Sequence, residues 1–215
     1  YMNKTDFIDK LCERYPDLDF LKPNIINAVN IMIKCYKNGG VIYTCGNGGS
    51  AADANHIVGE IMKGFHLKRA LSNNQVEEIA NLYPDEALEI AKNLQQSIPA
   101  VSLVSNNALL TAISNDGNPD YVFAQQIYGL GKPGDVLLAI STSGNSSNIV
   151  NAAKVALARN LSVIALTGSS GGKLKEHSSL TIQVPAVNVA EIQEYHLPIY
   201  HCICAMMENI LFYEG

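Results

Sequence analysis

From residue 41 onwards, short and mostly apolar runs alternate with longer amphipathic segments, and this alternation constrains the fold more than any other feature. Five such runs read as strands, at residues 41–45, 100–104, 136–140, 162–166 and 180–184. The segments that separate them predict helices near residues 50–62, 106–115, 121–130, 146–160 and 189–213. Because parallel strands are joined by helical crossovers, we expect an α/β fold, a three-layer α/β/α sandwich around a five-stranded parallel sheet.

Two further segments lie outside this alternation. Residues 1–38 carry apolar positions at helical spacing and predict an N-terminal helical hairpin. Residues 64–98 are polar with weak helical periodicity, and we interpret them as an insertion between the first helix of the sandwich and the second strand. A chain of 215 residues suits one domain, so we expect a single domain over residues 1–215.

Charge and apolar patterning exclude several classes of protein. The 15 Lys and Arg residues against 20 Asp and Glu give a net charge of -5, which argues against a nucleic-acid binder and a membrane-surface protein. No apolar run is long enough to span a bilayer, and no secretory signal is recognisable, so we expect a cytoplasmic protein. Five cysteines without a CxxC pair are expected to be buried free thiols: Cys12, Cys35, Cys45, Cys202 and Cys204.

Two loops rich in glycine and hydroxyl groups follow predicted strands and lead directly into helices. The first spans residues 46–50 (GNGGS) and the second residues 141–146 (STSGNS). Unpaired amides and the positive end of a helix dipole favour an anion such as phosphate at each loop. An alternative is that Ser50 and Ser146 only cap the helices. Neither loop matches the dinucleotide or nucleoside triphosphate fingerprint.

Two pairs of polar residues have spacings that place each pair on one side of a predicted helix. His56 and Glu60 are four residues apart, and Gln193 and His201 are eight apart on the last helix. His196 lies on another side of that helix, away from His201. Taken singly, each pair has an alternative reading, as a solvated surface pair or as a histidine packed in the core.

Together, these residues resemble the SIS-domain phosphosugar isomerases, and most closely the phosphoheptose isomerases that act on sedoheptulose 7-phosphate. The similarity extends from about residue 5 to 212, apart from the segment near 70–96. Its motifs are CGNGGSAADANH at 45–56 with Glu60, SND at 114–116, GDVLLAISTSGNS at 134–146, LTGSSGG at 166–172, and IQEYH at 192–196 with His201.

The resemblance implies the SIS fold and assigns roles to individual residues. Glu60 is expected to be the catalytic base and His201 the catalytic acid. The implied zinc ligands are His56, Glu60, Gln193 and His201. The expected substrate contacts are Asn47, Gly48, Gly49, Ser50, Glu60, Asn115, Asp116, Ser141, Thr142, Ser143, Ser146 and Gln193.

These roles imply an aldose–ketose isomerase that converts sedoheptulose 7-phosphate to D-glycero-D-manno-heptose 7-phosphate through an enediol, which needs a base, an acid and oxyanion stabilisation. The implied assembly is a homotetramer with zinc. The alternative is a tetrameric SIS adaptor that binds a replication initiator protein without catalysis, but that adaptor lacks the acid/base pair. A phosphosugar-sensing regulator is disfavoured because the remaining length leaves no room for a DNA-binding module.

Overall fold

The computed structural model describes residues 6–213 and contains the expected five-stranded parallel sheet. The strands are β1 (Ile42–Cys45), β2 (Ala100–Ser102), β3 (Val136–Ile140), β4 (Ser162–Thr167) and β5 (Leu180–Gln183). Their order across the sheet is β2-β1-β3-β4-β5, and every pair is parallel. The chain order therefore reverses between β1 and β3, and in such sheets the crevice beyond the carboxyl ends of those two strands is the usual ligand site.

Helices cover both faces of the sheet, as the alternation predicts. The α-helices of the described residues are α1 (Asp6–Arg14), α2 (Lys22–Lys37), α3 (Gly49–Met62), α4 (Asn73–Ala80), α5 (Ala87–Asn93), α6 (Asn107–Asp116), α7 (Val122–Leu130), α8 (Ser147–Ala158) and α9 (Val189–Phe212). The predicted positions of the strands and of the five sandwich helices are confirmed to within a few residues.

Side-chain alternation along the strands divides the interior into two cores. Val136, Leu138 and Ile140 of β3 point into a core shared with α2, α3 and α9, whereas Leu137 and Ala139 point into a core shared with α7 and α8. All five residues of β3 are buried, as expected for a central strand covered on both faces. The three-layer sandwich is therefore confirmed.

Outside the sandwich, α1 and α2 form the expected N-terminal helical pair, although residues 1–5 lie outside the described part of the chain. Residues 64–98 carry α4 and α5, whose only buried residue is Ala87. That this segment is an insertion remains a prediction. All five cysteines are buried and free, as predicted. None of the described helices is both long and apolar enough to cross a lipid bilayer.

Helices α3 and α9 run side by side in the same direction. Gly49 lies against Gln193 near their N-terminal ends, and His56 contacts Tyr200 about two turns further along. Just beyond the end of α3, Phe65 donates its backbone N–H to Glu208. Because the two helices are parallel, residues at the same distance from the two N-termini face each other. The side chains on these facing surfaces form the candidate site.

Candidate active site

The two glycine- and hydroxyl-rich loops lie side by side because the strands that precede them are neighbours. The first connects β1 to α3 and the second connects β3 to α8, at the reversal point of the sheet. Asn47 of the first loop and Asn148 in the first turn of α8 form a pair of reciprocal side-chain amide hydrogen bonds of 2.9 Å. The loops therefore form two walls of one crevice, as their positions after parallel strands predict.

A cavity of about 320 Å³ lies between these loops and the first turns of α9. Eight of the expected substrate contacts line it: Asn47, Gly48, Gly49, Ser50, Ser141, Thr142, Ser146 and Gln193. The remaining lining residues are the apolar Ile140 and Val189. Amides and hydroxyl groups thus dominate the lining, which suits an anionic or hydroxylated ligand.

Serine hydroxyls in this cavity are not used as helix caps. Gly48 is the residue that precedes α3, and Ser50 lies inside the helix. Ser146 is the residue at the N-terminal cap of α8, but its side chain caps no amide and instead lies 3.2 Å from the Ser141 hydroxyl. The alternative that these serines serve only as helix caps is therefore wrong. The first backbone amides of α3 and α8 stay available to a ligand.

The backbone of the second loop depends on a close approach at Gly144. This residue has a φ of 66°, in the left-handed region, and a Cβ atom here would collide with the carbonyl group of Gly171. The loop 168–172 thus packs backbone against backbone behind the hydroxyl-rich loop. This packing restrains the backbone of the loop whose Ser141, Thr142 and Ser146 line the cavity.

Gln193 enters the cavity from the facing helix. Its side-chain amide lies so close to Gly49 that a Cβ atom at position 49 would be 2.6 Å from Nε2. A glycine at the start of α3 therefore leaves room for an amide from α9, which joins the two helices at the cavity.

About two turns further along the same pair of helices, three predicted catalytic and metal-binding residues meet. His56 Nε2 lies 3.2 Å from Glu60 Oε1 and 3.5 Å from His201 Nε2. The His56 side chain is 42% exposed and that of Glu60 17% exposed, so the group borders solvent. Within a single chain, Glu60 from the first sandwich helix and His201 from the last helix thus both lie next to His56.

Tyr200 and Asp53 support this group, and neither was singled out from the sequence. The Tyr200 hydroxyl lies 3.0 Å from His56 Nδ1 and 3.2 Å from Asp53 Oδ1. Asp53 lies three residues before His56 on α3, a spacing that could have indicated contact. No local pattern could have found Tyr200, because its partners are more than 140 residues away in the chain.

Burial changes the proton affinities of these groups. Desolvation lowers the pKa of His201, and the neighbouring His56 lowers it further. Desolvation also raises the pKa of Asp53, while its hydrogen bond with Tyr200 acts in the opposite direction. The pKa of Tyr200 is raised by burial and by the nearby Asp53 carboxylate. His201 is therefore a neutral N–H donor at neutral pH, and Tyr200 keeps its proton.

The donor set can be compared with the needs of zinc. Zinc binds imidazole nitrogen and carboxylate oxygen at about 2.0–2.2 Å, which in a tetrahedron separates neighbouring donor atoms by about 3.3–3.5 Å. The two distances from His56 Nε2, to Glu60 Oε1 and to His201 Nε2, are close to that spacing, and all three atoms are of types that bind zinc. Within residues 6–213, however, no three His, Cys, Asp or Glu side chains enclose a metal position, so these donors would hold zinc only if the side chains moved. Gln193 lies about 12 Å from His201 along the helix axis.

Four of the twelve expected substrate contacts do not line the cavity in a single chain. Ser143 is exposed, and its hydroxyl accepts a hydrogen bond from the backbone N–H of Asn145. Asn115 and Asp116 lie exposed at the end of α6, where the Asn115 amide donates to Asp116 Oδ1 over 2.7 Å. Glu60 and His201 also lie outside this cavity, and His201 instead borders a second cavity of about 290 Å³ between α1 and α9.

A buried ion pair fixes the segment that follows α3. Arg69 Nε lies 2.8 Å from Glu208 Oε1, and both side chains are essentially inaccessible to solvent. The Glu208 carboxylate also accepts backbone N–H groups of residues 65–67, and Arg69 donates to the Ile61 carbonyl at the end of α3. Phe65 is thereby held with its ring 5.5 Å from that of His201.

Comparison with known proteins agrees with this geometry. The SIS domain family matches residues 6–122 and 85–168. The phosphoheptose isomerase of Shewanella denitrificans is 35% identical over 212 residues, covering 97% of this chain and 95% of the relative. The chain belongs to the phosphoheptose isomerases of the SIS-domain family.

Two solved phosphoheptose isomerases extend the family match to the fold. That of Neisseria gonorrhoeae superposes with a TM-score of 0.73 at 33% identity, covering 94% of this chain and 95% of the other. That of Francisella tularensis gives 0.75 at 31% identity and covers 97% and 100%. The predicted resemblance and SIS fold are confirmed, and these relatives give no support to the adaptor alternative.

Proposed function

We propose that this member of the family is an aldose–ketose isomerase that converts sedoheptulose 7-phosphate to D-glycero-D-manno-heptose 7-phosphate. The observation that carries the proposal is the meeting of Glu60, His56 and His201 on the same pair of helices that begins at a hydroxyl-lined cavity. The named activity of full-length relatives at 35% identity supports the same reaction. In this proposal the protein acts in the cytoplasm as a homotetramer.

The phosphate group belongs in the cavity between the two loops. Hydroxyl groups of Ser141, Thr142 and Ser146 line the cavity beside the N-termini of α3 and α8. Ser143 is assigned to the phosphate as well, through its place in the same loop. A phosphate at this position takes hydrogen bonds from hydroxyl groups and free amides and interacts favourably with two helix dipoles, without a lysine.

The spacing of the two groups suits an open-chain sugar phosphate. Gly49 and His56 are seven residues apart on α3, which places the acid/base group about 10 Å from the loop cavity along the helix. A main chain covers about 3.3–3.6 Å for every three bonds when extended, so the eight bonds from carbon 1 of a heptose to phosphorus span about 9–10 Å. An opened heptose phosphate bound in the loops therefore brings carbons 1 and 2 to the level of His56.

Isomerisation at those carbons uses the two ends of the acid/base group. Glu60 removes a proton from carbon 1 of the ketose while His201 donates a proton to the carbonyl oxygen on carbon 2, giving the enediol. Return of a proton to carbon 2 and loss of the proton on the carbon 1 oxygen then give the aldose. Asn47, Gly48, Gly49 and Ser50 line the sugar path between the two groups, and Asn115 and Asp116 hold sugar hydroxyls.

Zinc is part of the proposal. His56, Glu60 and His201 supply donors of the right type. The resemblance implies Gln193 as a fourth ligand, and because its amide lines the loop cavity about two turns away, it would have to turn towards the other three to share the metal. When bound, zinc supplies Lewis-acid polarisation of the substrate's carbonyl and hydroxyl oxygens. Completion of each site by a neighbouring chain is proposed as well, since Asn115 and Asp116 do not line the cavity of their own chain.

A direct assay tests the proposal. Zinc-loaded protein is incubated with sedoheptulose 7-phosphate, and the aldose is followed by proton NMR. We expect conversion by the native chain and a loss of at least about 100-fold in kcat for Glu60→Gln, since a positioned base contributes about 10²–10⁴-fold. Glu78→Gln, on the exposed side of α4, is the matched control and retains full activity. Absence of conversion, or near-normal turnover by Glu60→Gln, contradicts the proposal.

A further inference from the structure

The two ring nitrogens of His56 have different surroundings. Nε2 faces Glu60 Oε1 and His201 Nε2, the proposed metal-binding side. Nδ1 faces the Tyr200 hydroxyl at 3.0 Å. Tyr200 is only 1% exposed, so water does not compete for that contact. The hydroxyl has a second neighbour, Asp53 Oδ1, at 3.2 Å.

The number of available protons limits how this chain of contacts can be arranged. A tyrosine hydroxyl has one proton to donate and can also accept, and an ionised carboxylate can only accept. If Tyr200 donated to His56, its oxygen would face the Asp53 carboxylate with no proton between them. If Tyr200 donates to Asp53, its oxygen accepts the proton of His56 Nδ1, and each of the two contacts contains one proton.

The second arrangement, in which Tyr200 donates to Asp53, determines whether His56 Nε2 carries a proton or a lone pair. With the proton on Nδ1, Nε2 of a neutral His56 carries a lone pair. That lone pair faces a carboxylate oxygen at 3.2 Å, so two acceptors point at each other until a cation lies near them. Metal-binding histidines commonly have this pattern, in which the nitrogen away from the metal donates to a carboxylate, a carbonyl or a water.

We propose that Tyr200 is a positioning residue that, with Asp53, holds His56 as the Nδ1–H tautomer and directs its Nε2 lone pair towards Glu60 and His201, the residues that would hold zinc together with it. The inference deepens the zinc-dependent function proposed above and rests on it. It assigns to Tyr200 no contact with substrate. The role of the hydroxyl is to fix the ring of one ligand before metal binds.

Removal of the hydroxyl alone tests this assignment. Zinc affinity of the metal-free chain is measured by competition with a chromophoric chelator, in the absence of substrate. Loss of an outer hydrogen-bond partner typically weakens metal affinity about 10–100-fold, and we expect a loss in that range for Tyr200→Phe. Tyr43→Phe is the matched control, because Tyr43 is also buried and its hydroxyl donates a hydrogen bond to the Leu130 carbonyl. It should bind zinc as tightly as the native chain.

A spectroscopic measurement separates positioning from general damage to the fold. In ¹⁵N-histidine-labelled, metal-free protein, the His56 resonance should show the proton on Nδ1, and Tyr200→Phe or Asp53→Asn should shift the ring towards a mixture of tautomers. Asp53→Asn is a second, volume-conserving variant that weakens the acceptor without emptying the site, and it should weaken zinc binding in the same direction.

The outcomes are distinguishable from those of the isomerase assay. Unchanged zinc affinity in Tyr200→Phe, a native His56 protonated on Nε2, or a native chain that binds no zinc each overturns the inference. Conversion of sedoheptulose 7-phosphate by the native chain tests the proposed function separately, because that assay uses no Tyr200 or Asp53 variant.

Discussion

Gly49 and Gly59 lie on the same helix and differ only in what surrounds them. A Cβ atom at position 49 would lie 2.6 Å from the Gln193 amide, whereas nothing lies within 4 Å of one at position 59. Because the end of a glutamine side chain can move, Gly49→Ala is expected to leave the fold stable while it displaces Gln193 from the cavity. Gly49→Ala is therefore expected to affect function, whereas Gly59→Ala is expected to affect only the stability of the helix.

The first prediction compares these two glycines. Gly49→Ala should reduce kcat/KM for the sugar phosphate by about 10-fold or more, since a misplaced contact of about 1 Å can cost up to about 100-fold. Gly59→Ala should leave turnover unchanged and raise the free energy of unfolding by about 0.5–1 kcal/mol, the difference between alanine and glycine inside a helix. Steady-state kinetics and urea unfolding measure both. Full activity in Gly49→Ala would show that Gln193 has no part in binding.

His196 is a buried histidine that the proposed chemistry does not use. It is fully inaccessible, and neither ring nitrogen makes a hydrogen bond within the described residues. Burial lowers the pKa of His196 to about 4 from 6.5, and the nearby Thr167 backbone offsets this only in part. As its spacing from His201 predicts, His196 lies on another side of the helix, with its ring in the interior.

The second prediction follows from that shift. The unfolded chain binds a proton at His196 near pH 6.5 and the folded chain only near pH 4. The free energy of unfolding should therefore fall as the pH drops from about 6.5 to 4, by up to about 3 kcal/mol from this residue. His196→Leu removes the titration, so its stability should depend less on pH in that window. Urea unfolding at several pH values measures both proteins, and parallel curves would contradict the assignment.

At the scale of elements, one ion pair joins the end of α3 to α9. Arg69 and Glu208 are buried together, and the carboxylate also binds three consecutive backbone amides. Burial raises the pKa of Glu208, but those hydrogen bonds and the guanidinium outweigh it and leave the pKa below its usual value. The pair thus stays ionised at neutral pH and holds the segment that places Phe65 beside His201.

The third prediction concerns removal of one partner. Arg69→Met leaves a buried carboxylate without its counter-charge, and we expect a loss of about 3–5 kcal/mol in the free energy of unfolding. Asp19→Asn, which removes a partner of Lys22 from an exposed ion pair, is the control and should change the urea midpoint little. Equal effects of the two substitutions would show that burial does not determine the contribution of the Arg69–Glu208 pair.

The elements differ in how far the sequence could predict them. Strands such as β3 are buried on both faces, so their apolar runs indicated both their positions and the parallel sheet. The loops after β1 and β3 could be paired because parallel strands end at the same edge. The contacts of Tyr200 and the Arg69–Glu208 pair could not be predicted, since they depend on how α3 and α9 pack over long chain separations. Segment 64–98 gave only weak periodicity because it buries little apolar surface.

At the scale of the whole molecule, α6 is unusually exposed to solvent for a helix of the sandwich. None of its residues is buried, although Leu110 and Ile113 pack partly against one core. Its other side exposes Ala108 and Ala112, and Asn115 follows on the same side about one turn later. A helix of the sandwich that has no buried residue in one chain, and that ends in two expected substrate contacts, fits the proposed completion of the site by a neighbouring chain.

The last prediction tests that arrangement. Ala112→Glu places a charge on the open side of α6, which costs little if that side faces water and much if it packs against another chain. We expect light scattering to show the native chain at four times the mass of one chain, and Ala112→Glu to reduce both that mass and isomerase activity. Ala158→Glu, the same change at an exposed position of α8, is the control and should leave both unchanged. If the Ala112 variant keeps native mass and full activity, α6 faces solvent in the assembly, and Asn115 and Asp116 do not reach substrate through a contact of α6 with another chain.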